Sequence, residues 1–133
     1  MIFNFEHIFD GIKWLENQII ETDKYGKIVN LSASSDKKVD ENIKGYFIPG
    51  FINAHSHAFQ YSIAGLTEHA PTGEPQDNFW SWRETMYKRA LIISPLEVQD
   101  IATMLYSEML RMGITHVVEF HYLHHDPDGQ FYS

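Results

Sequence analysis

The sequence predicts an α/β chain in two parts, and three observations carry that prediction. Residues 1–45 alternate short apolar runs with turn signals, the pattern of a small sheet. From Tyr46 the chain turns strongly apolar and leads into His55-Ser56-His57. Two segments of helical spacing then separate this run from a second apolar run, residues 114–122. Strand, helices and strand in that order fit a βα barrel or an open α/β sheet.

The opening reads as three strands. Residues 1–9 form the first, and Asp10-Gly11 is a turn signal. A second covers residues 12–21, and Lys24-Tyr25-Gly26-Lys27 turns into a third at residues 28–31. The polar stretch 32–41 is predicted as a loop. Such a sheet is too small to stand as a domain of its own.

Residues 50–57 are predicted as a buried strand, with Pro49 at its entry. A loop rich in Pro, Thr and Gly follows at residues 70–76, and a helix is expected over residues 77–90. Ser94-Pro95-Leu96-Glu97 carries a capping box, with Ser at the N-cap, Pro at N1 and Glu at N3. Ile101, Met104, Leu105, Met109 and Met112 recur at helical spacing and predict a core stripe, with Gly113 as the stop. Residues 114–122 are the next strand, and Asp126-Pro127-Asp128-Gly129 is a turn. The expected division is residues 1–45 and 46–133. A closed eight-fold barrel takes roughly 250 residues, so the chain is expected to be a fragment that reaches only the second barrel strand.

Composition narrows the chemistry. Cysteine is absent, so disulfides and thiolate metal sites are excluded, and a transition metal must take His, Asp, Glu or Lys. A net charge of −8 argues against nucleic acid as a partner, which needs clustered Lys and Arg. It leaves small anions open, because one well-placed Arg binds a carboxylate in an acidic protein. No apolar run approaches the roughly 18 residues of a membrane span, and the N-terminus lacks the basic and apolar regions of a secretory signal. A cytoplasmic protein acting on a small molecule is expected. A homodimer of the full-length enzyme stays open.

His55 and His57 are the residues that carry chemistry. Two apart on a strand, they share a face, roughly 6.6 Å apart along the chain. Imidazoles so placed can converge on one ion at about 2.0–2.1 Å each. Alone, a His-X-His pair is a weak signal, more often two polar residues at a strand end than a metal site.

The surroundings add to it. Pro49-Gly50-Phe51-Ile52-Asn53-Ala54-His55-Ser56-His57 resembles the first barrel strand of the amidohydrolase superfamily, which is preceded there by a small β-sandwich. Gly113-Ile114-Thr115 and the run after it resemble that superfamily's second strand. Within it, three segments resemble the formimidoylglutamate deiminases. These are His57-Ala58-Phe59-Gln60, Asp77-Asn78-Phe79-Trp80-Ser81-Trp82-Arg83-Glu84 with Met86-Tyr87, and Glu119-Phe120-His121-Tyr122-Leu123-His124-His125-Asp126. The resemblance covers residues 48–129.

That resemblance implies the start of a (β/α)8 TIM-type barrel, left incomplete, behind part of a β-sandwich. It implies one divalent ion, Zn²⁺, with His55 and His57 among its ligands. Gln60, Arg83 and Tyr122 match positions that contact substrate. The remaining ligands (two His and an Asp) and the acid–base Glu and His lie on later strands, so no catalytic residue is expected within residues 1–133. The implied reaction is hydrolysis of the formimidoyl C=N bond of N-formimidoyl-L-glutamate in histidine degradation, with the isolated fragment inactive. Two alternatives stand beside it: a guanine-type aminohydrolase of the same superfamily, and a non-catalytic remnant.

Each residue also has a plainer reading. Arg83 could stack on Trp80, Trp82 and Tyr87 to finish a helix surface. Gln60 could bond a loop backbone, and Tyr122 could be a sheet-edge tyrosine. His121, His124 and His125 are read as hydrogen-bonding residues rather than a second metal site, and His7, His69 and His116 as structural or solvated. By alternation Glu119 and His121 share one face and Phe120 and Tyr122 the other. Sequence does not show which pair points inward.

Overall fold

A computed structural model describes residues 1–33, 37–67 and 79–132. The chain divides into two compact units, residues 1–49 and 50–133.

The first unit is one four-stranded sheet. Strands β1 (Ile2–Phe9), β2 (Trp14–Thr22), β3 (Ile28–Ala33) and β4 (Glu41–Phe47) lie in the order β3-β2-β1-β4. β1 pairs antiparallel with β2, β2 antiparallel with β3, and β1 parallel with β4. Asparagine-like turn chemistry closes both hairpins. Asp10 Oδ1 accepts from the Ile12 and Lys13 N–H groups, and Asp23 Oδ1 from those of Tyr25 and Lys27. Phe5, Ile8 and Ile20 form the core, flanked by Phe3, Leu15 and Ile43. Burying each large apolar side chain contributes about 1.5–3 kcal/mol.

β4 is a strand the sequence reading missed. Residues 32–41 were expected as loop, yet Ser32 and Ala33 belong to β3 and Glu41 opens β4. Gly45 lies inside β4. It sits at φ +93° where the β1–β4 register slips between Phe5 and His7. There it fills a bulge, and its N–H donates to Glu6 Oε2 at 2.8 Å.

The second unit begins with β5 (Phe51–Ser56), followed by a 3-10 helix (Ala58–Ile63), α1 (Phe79–Ala90), α2 (Pro95–Arg111) and β6 (Ile114–Glu119). β5 and β6 run parallel as a two-stranded sheet, and parallel neighbours require a long crossover, here the helices. Phe59, Ile63 and Met86 form its core, with Trp82, Ala90 and Leu123 against them. The 70–76 loop, His69 and the helix start at Asp77 lie outside the described residues.

Gly50, just before β5, lies tight against Thr115 of β6. A Cβ placed there would lie 2.3 Å from Thr115 Cγ2 and 2.9 Å from Thr115 Cβ, far inside van der Waals contact. No helix of the described residues is long and apolar enough to cross a membrane.

The capping box on α2 forms as predicted. Ser94 Oγ accepts from Glu97 N–H at 3.3 Å, and Glu97 Oε2 accepts from Ser94 N–H at 2.8 Å. These bonds, led by the Ser94 backbone, hold the Glu97 carboxyl below its ordinary range. Ser94→Ala should lower the helicity of a peptide spanning residues 93–113, by the roughly 0.5–2 kcal/mol of a lost cap. Circular dichroism reads this directly, and unchanged helicity would mean the box contributes nothing.

Two expectations about burial need correction. β5 was expected to be buried, yet within this chain Phe51 and Ile52 are 57% and 69% exposed and only Ser56 is buried. The Met/Leu stripe on α2 was expected as core, yet no α2 residue is buried and Met104 and Met112 are exposed. Both have one physical reason. A strand in a parallel sheet is covered by a neighbour on each side and helices on each face, and two strands cannot supply that cover.

Candidate metal and substrate site

The site forms where β5 and β6 end. Parallel strands leave the chemistry at their C-terminal edge, because loops there converge while the strands stay fixed. His55 lies in β5, Ser56 is its last residue, and His57 follows it. The two-residue spacing puts both imidazoles on one side, with His55 Nε2 2.9 Å from His57 Nε2. Their rings meet edge to face, centroids 4.6 Å apart.

His57 is oriented by its other nitrogen. Nδ1 lies 3.1 Å from the Phe120 carbonyl. A carbonyl only accepts, so Nδ1 carries the proton and Nε2 keeps its lone pair. In the absence of a cation, His55 Nε2 must then donate to His57 Nε2.

This geometry suits a metal. Two nitrogens each about 2.0–2.1 Å from one zinc ion stand about 2.9–3.4 Å apart for ligand angles near 90–110°. An imidazole that donates its second N–H to a carbonyl is the usual partner arrangement of a metal-bound His. Two ligands do not complete a shell, however, and among the described residues no group of three or more His, Asp and Glu converges.

The other expected residues lie around the same opening. A cleft of about 440 Å³ is lined by His55, His57, Gln60, Arg83 and Tyr122, together with Phe79, Trp82, Met86 and Tyr87. Tyr122 packs on His57, ring centroids 4.9 Å apart, and on Phe59 at 5.4 Å. Gln60 Nε2 lies 3.3 Å from Met86 Sδ, a weak acceptor. The Arg83 guanidinium stands 5.6 Å from the Trp80 ring and 5.1 Å from the Tyr87 ring. Arg83 thus stacks on Trp80 and Tyr87 and also lines the cleft. A second cleft of about 320 Å³ shares Met86, Tyr87 and Tyr122 with the first and is lined more apolarly.

The strand-end histidines make local contacts. His124 Nε2 lies 2.9 Å from the His121 carbonyl, and His125 packs on Phe131 with centroids 4.6 Å apart.

Glu119 is the residue whose place sequence reasoning did not fix. β6 ends at Glu119, so strand alternation does not extend to the residues beyond it. Its Oε1 accepts the Ala58 N–H at 2.7 Å. Burial works to raise its carboxyl, but the Ser56 hydroxyl, the Ala58 N–H, the Tyr106 hydroxyl and His121 outweigh it and hold the group below its ordinary range. Tyr106 responds in the opposite sense. Burial first, and then the neighbouring carboxylate, push its hydroxyl up to about 12. Glu119 Oε2 is buried, and neither hydroxyl stands in full hydrogen-bond geometry to it.

With the fold and this geometry in view, the chain is assigned by comparison: it belongs to the amidohydrolase family, whose profile matches residues 46–131. It is similar to formimidoylglutamate deiminase of Pseudomonas aeruginosa, 43% identical over 120 residues that make up 90% of this chain and 26% of the relative. Among solved structures it resembles an amidohydrolase from Brucella melitensis, with a TM-score of 0.83 and 39% identity over 99% of this chain and 29% of that one. It also resembles an atrazine chlorohydrolase from Arthrobacter aurescens complexed with zinc, with a TM-score of 0.66 and 25% identity over 90% of this chain and 28% of that one. The chain thus spans about a quarter of the length of the relatives it matches.

Proposed function

We propose that this chain supplies the first two strands of a (β/α)8 barrel that hydrolyses the formimidoyl C=N bond of N-formimidoyl-L-glutamate in the histidine degradation of the cytoplasm. The observation that carries the reading is the gathering of His55, His57, Gln60, Arg83 and Tyr122 around one cleft. The similarity to the Pseudomonas aeruginosa deiminase supports the choice of substrate.

His55 and His57 would hold the metal through Nε2. A zinc ion bound there supplies Lewis acidity and a water whose pKa falls toward about 7. His57 keeps its lone pair available because Nδ1 donates to the Phe120 carbonyl. The substrate brings two carboxylates, and Arg83 can grip one with two parallel N–H donors while the aromatic stack holds the guanidinium plane. Tyr122 and Gln60, which line the same cleft, offer further hydrogen bonds. In balance, water adds across C=N, ammonia departs, and N-formyl-L-glutamate remains.

The test is a chimaera in which this chain replaces the matched quarter of the Pseudomonas aeruginosa relative. It should release ammonia from N-formimidoyl-L-glutamate. A folded, zinc-loaded chimaera that instead releases ammonia from guanine, or from neither compound, would overturn the reading. In the same chimaera Arg83→Lys should raise KM about tenfold, the ~1.4 kcal/mol expected when one charge-assisted contact is lost. Zinc content should not change, because Arg83 touches no ligand atom. Unchanged kinetics would reduce Arg83 to its packing role.

A further inference from the structure

Four separate pieces of the second unit meet at one carboxylate. Glu119 ends β6, its Oε1 accepts from Ala58 at the head of the 3-10 helix, and the hydroxyls of Ser56 in β5 and Tyr106 in α2 face it. Ser56 stands between the two histidines and is the buried polar residue among those described. The next residue closes the circuit. Phe120 N–H donates to the Ser56 carbonyl at 3.0 Å, and the Phe120 carbonyl accepts from His57 Nδ1 at 3.1 Å.

We propose that Glu119 is a positioning residue for His57: by accepting the Ala58 N–H it fixes the peptide after His57, which keeps Nδ1 on the Phe120 carbonyl and Nε2 turned toward His55. The argument is one of constraint. His57 lies past the end of β5, where no strand pairing holds its backbone. The Gln60 N–H holds the His57 carbonyl at 3.0 Å, and the bonds that tie this turn across to the neighbouring strand come from Glu119 at its end and Phe120 just beyond. A charge-assisted bond of 2.7 Å is about twice as strong as a neutral one. Without it, the peptide between residues 57 and 58 keeps only the Gln60 bond at its carbonyl, its N–H side is released from the sheet, and the imidazole loses its single hydrogen-bonded orientation.

Glu119 does not touch the substrate cleft, so its effect reaches the site only through His57. The proposal rests on the metal role assigned to His55 and His57, but its main readout does not.

The experiment uses the 133-residue chain with imidazole nitrogens labelled, and long-range proton–nitrogen correlation to read the tautomer of each His. The unsubstituted chain should show His57 as a single Nδ1–H tautomer. Glu119→Ala should give both tautomers in comparable amounts and weaken Zn²⁺ binding, followed by competition with a chromophoric chelator, at least about tenfold. Glu119→Gln retains a carbonyl oxygen for the Ala58 N–H and should restore both properties. A Glu119→Ala chain that melts earlier but keeps the single His57 tautomer would show that the carboxylate is merely structural, and the proposal would be wrong. Should Glu119→Ala fail to fold, Glu119→Asp carries the same comparison, since it keeps the charge and withdraws the oxygen by one methylene. A single tautomer in Glu119→Asp would equally overturn it. If the unsubstituted chain binds no Zn²⁺ at all, the metal reading falls while the tautomer comparison still decides the role of Glu119.

Discussion

In the chimaera described above, His55→Ala and His57→Ala are each expected to abolish ammonia release, by at least about 10³-fold, and to strip zinc from the purified protein. The two nitrogens stand 2.9 Å apart, so each is half of one binding corner. Removing either opens the shell and leaves the other imidazole without the cation that reconciles two facing nitrogens. Both variants should melt earlier through the loss of bound zinc, and His57→Ala should melt earlier still, because it also frees the Phe120 carbonyl. Metal analysis alongside turnover decides the matter. Full zinc occupancy with undiminished turnover in either variant would refute the ligand assignment.

The second large effect concerns the 133-residue chain by itself, which is expected to release no measurable ammonia from N-formimidoyl-L-glutamate with zinc added. Catalytic zinc typically takes three protein ligands, and the described residues bring two together. An active site at a barrel mouth is built from the ends of several strands. The same incompleteness should show in solution behaviour. Among the described residues β6 pairs only with β5, and Val118 and Phe120 are 60% and 62% exposed beside its open edge. Open apolar edges recruit further strands. Sedimentation should therefore show association that grows with concentration. Turnover above a zinc-only blank from a monomeric chain would contradict both expectations.

Much of this molecule is legible in its sequence because the signals are local. The capping box at Ser94 and Glu97 and the shared face of His55 and His57 need only spacing to be read. What escaped was set by partners distant in sequence. β4 escaped because its pairing with β1 joins residues far apart in sequence, and the bulge at Gly45 interrupts its alternation. The burial of β5 and of the α2 stripe was over-read, since apolar spacing reports which face wants cover and not whether cover is present. Glu119 was visible as an alternating residue, but its bond to Ala58 spans 61 positions, and no local pattern encodes that. The pairing of Arg83, Gln60 and Tyr122 around one cleft came from resemblance, not from spacing.

The contact between Gly50 and Thr115 has an evolutionary reading. Residue 50 lies just before β5 and residue 115 lies in the neighbouring β6, and the space between them holds the Thr115 side chain but not a further methyl group. Neither position can drift alone. A lineage that gains a methyl group at 50 must first give up bulk at 115, so accepted changes should appear in relatives as pairs, in that order. Positions 11 and 26, where an added Cβ meets nothing within 4 Å, carry no such debt to a neighbour.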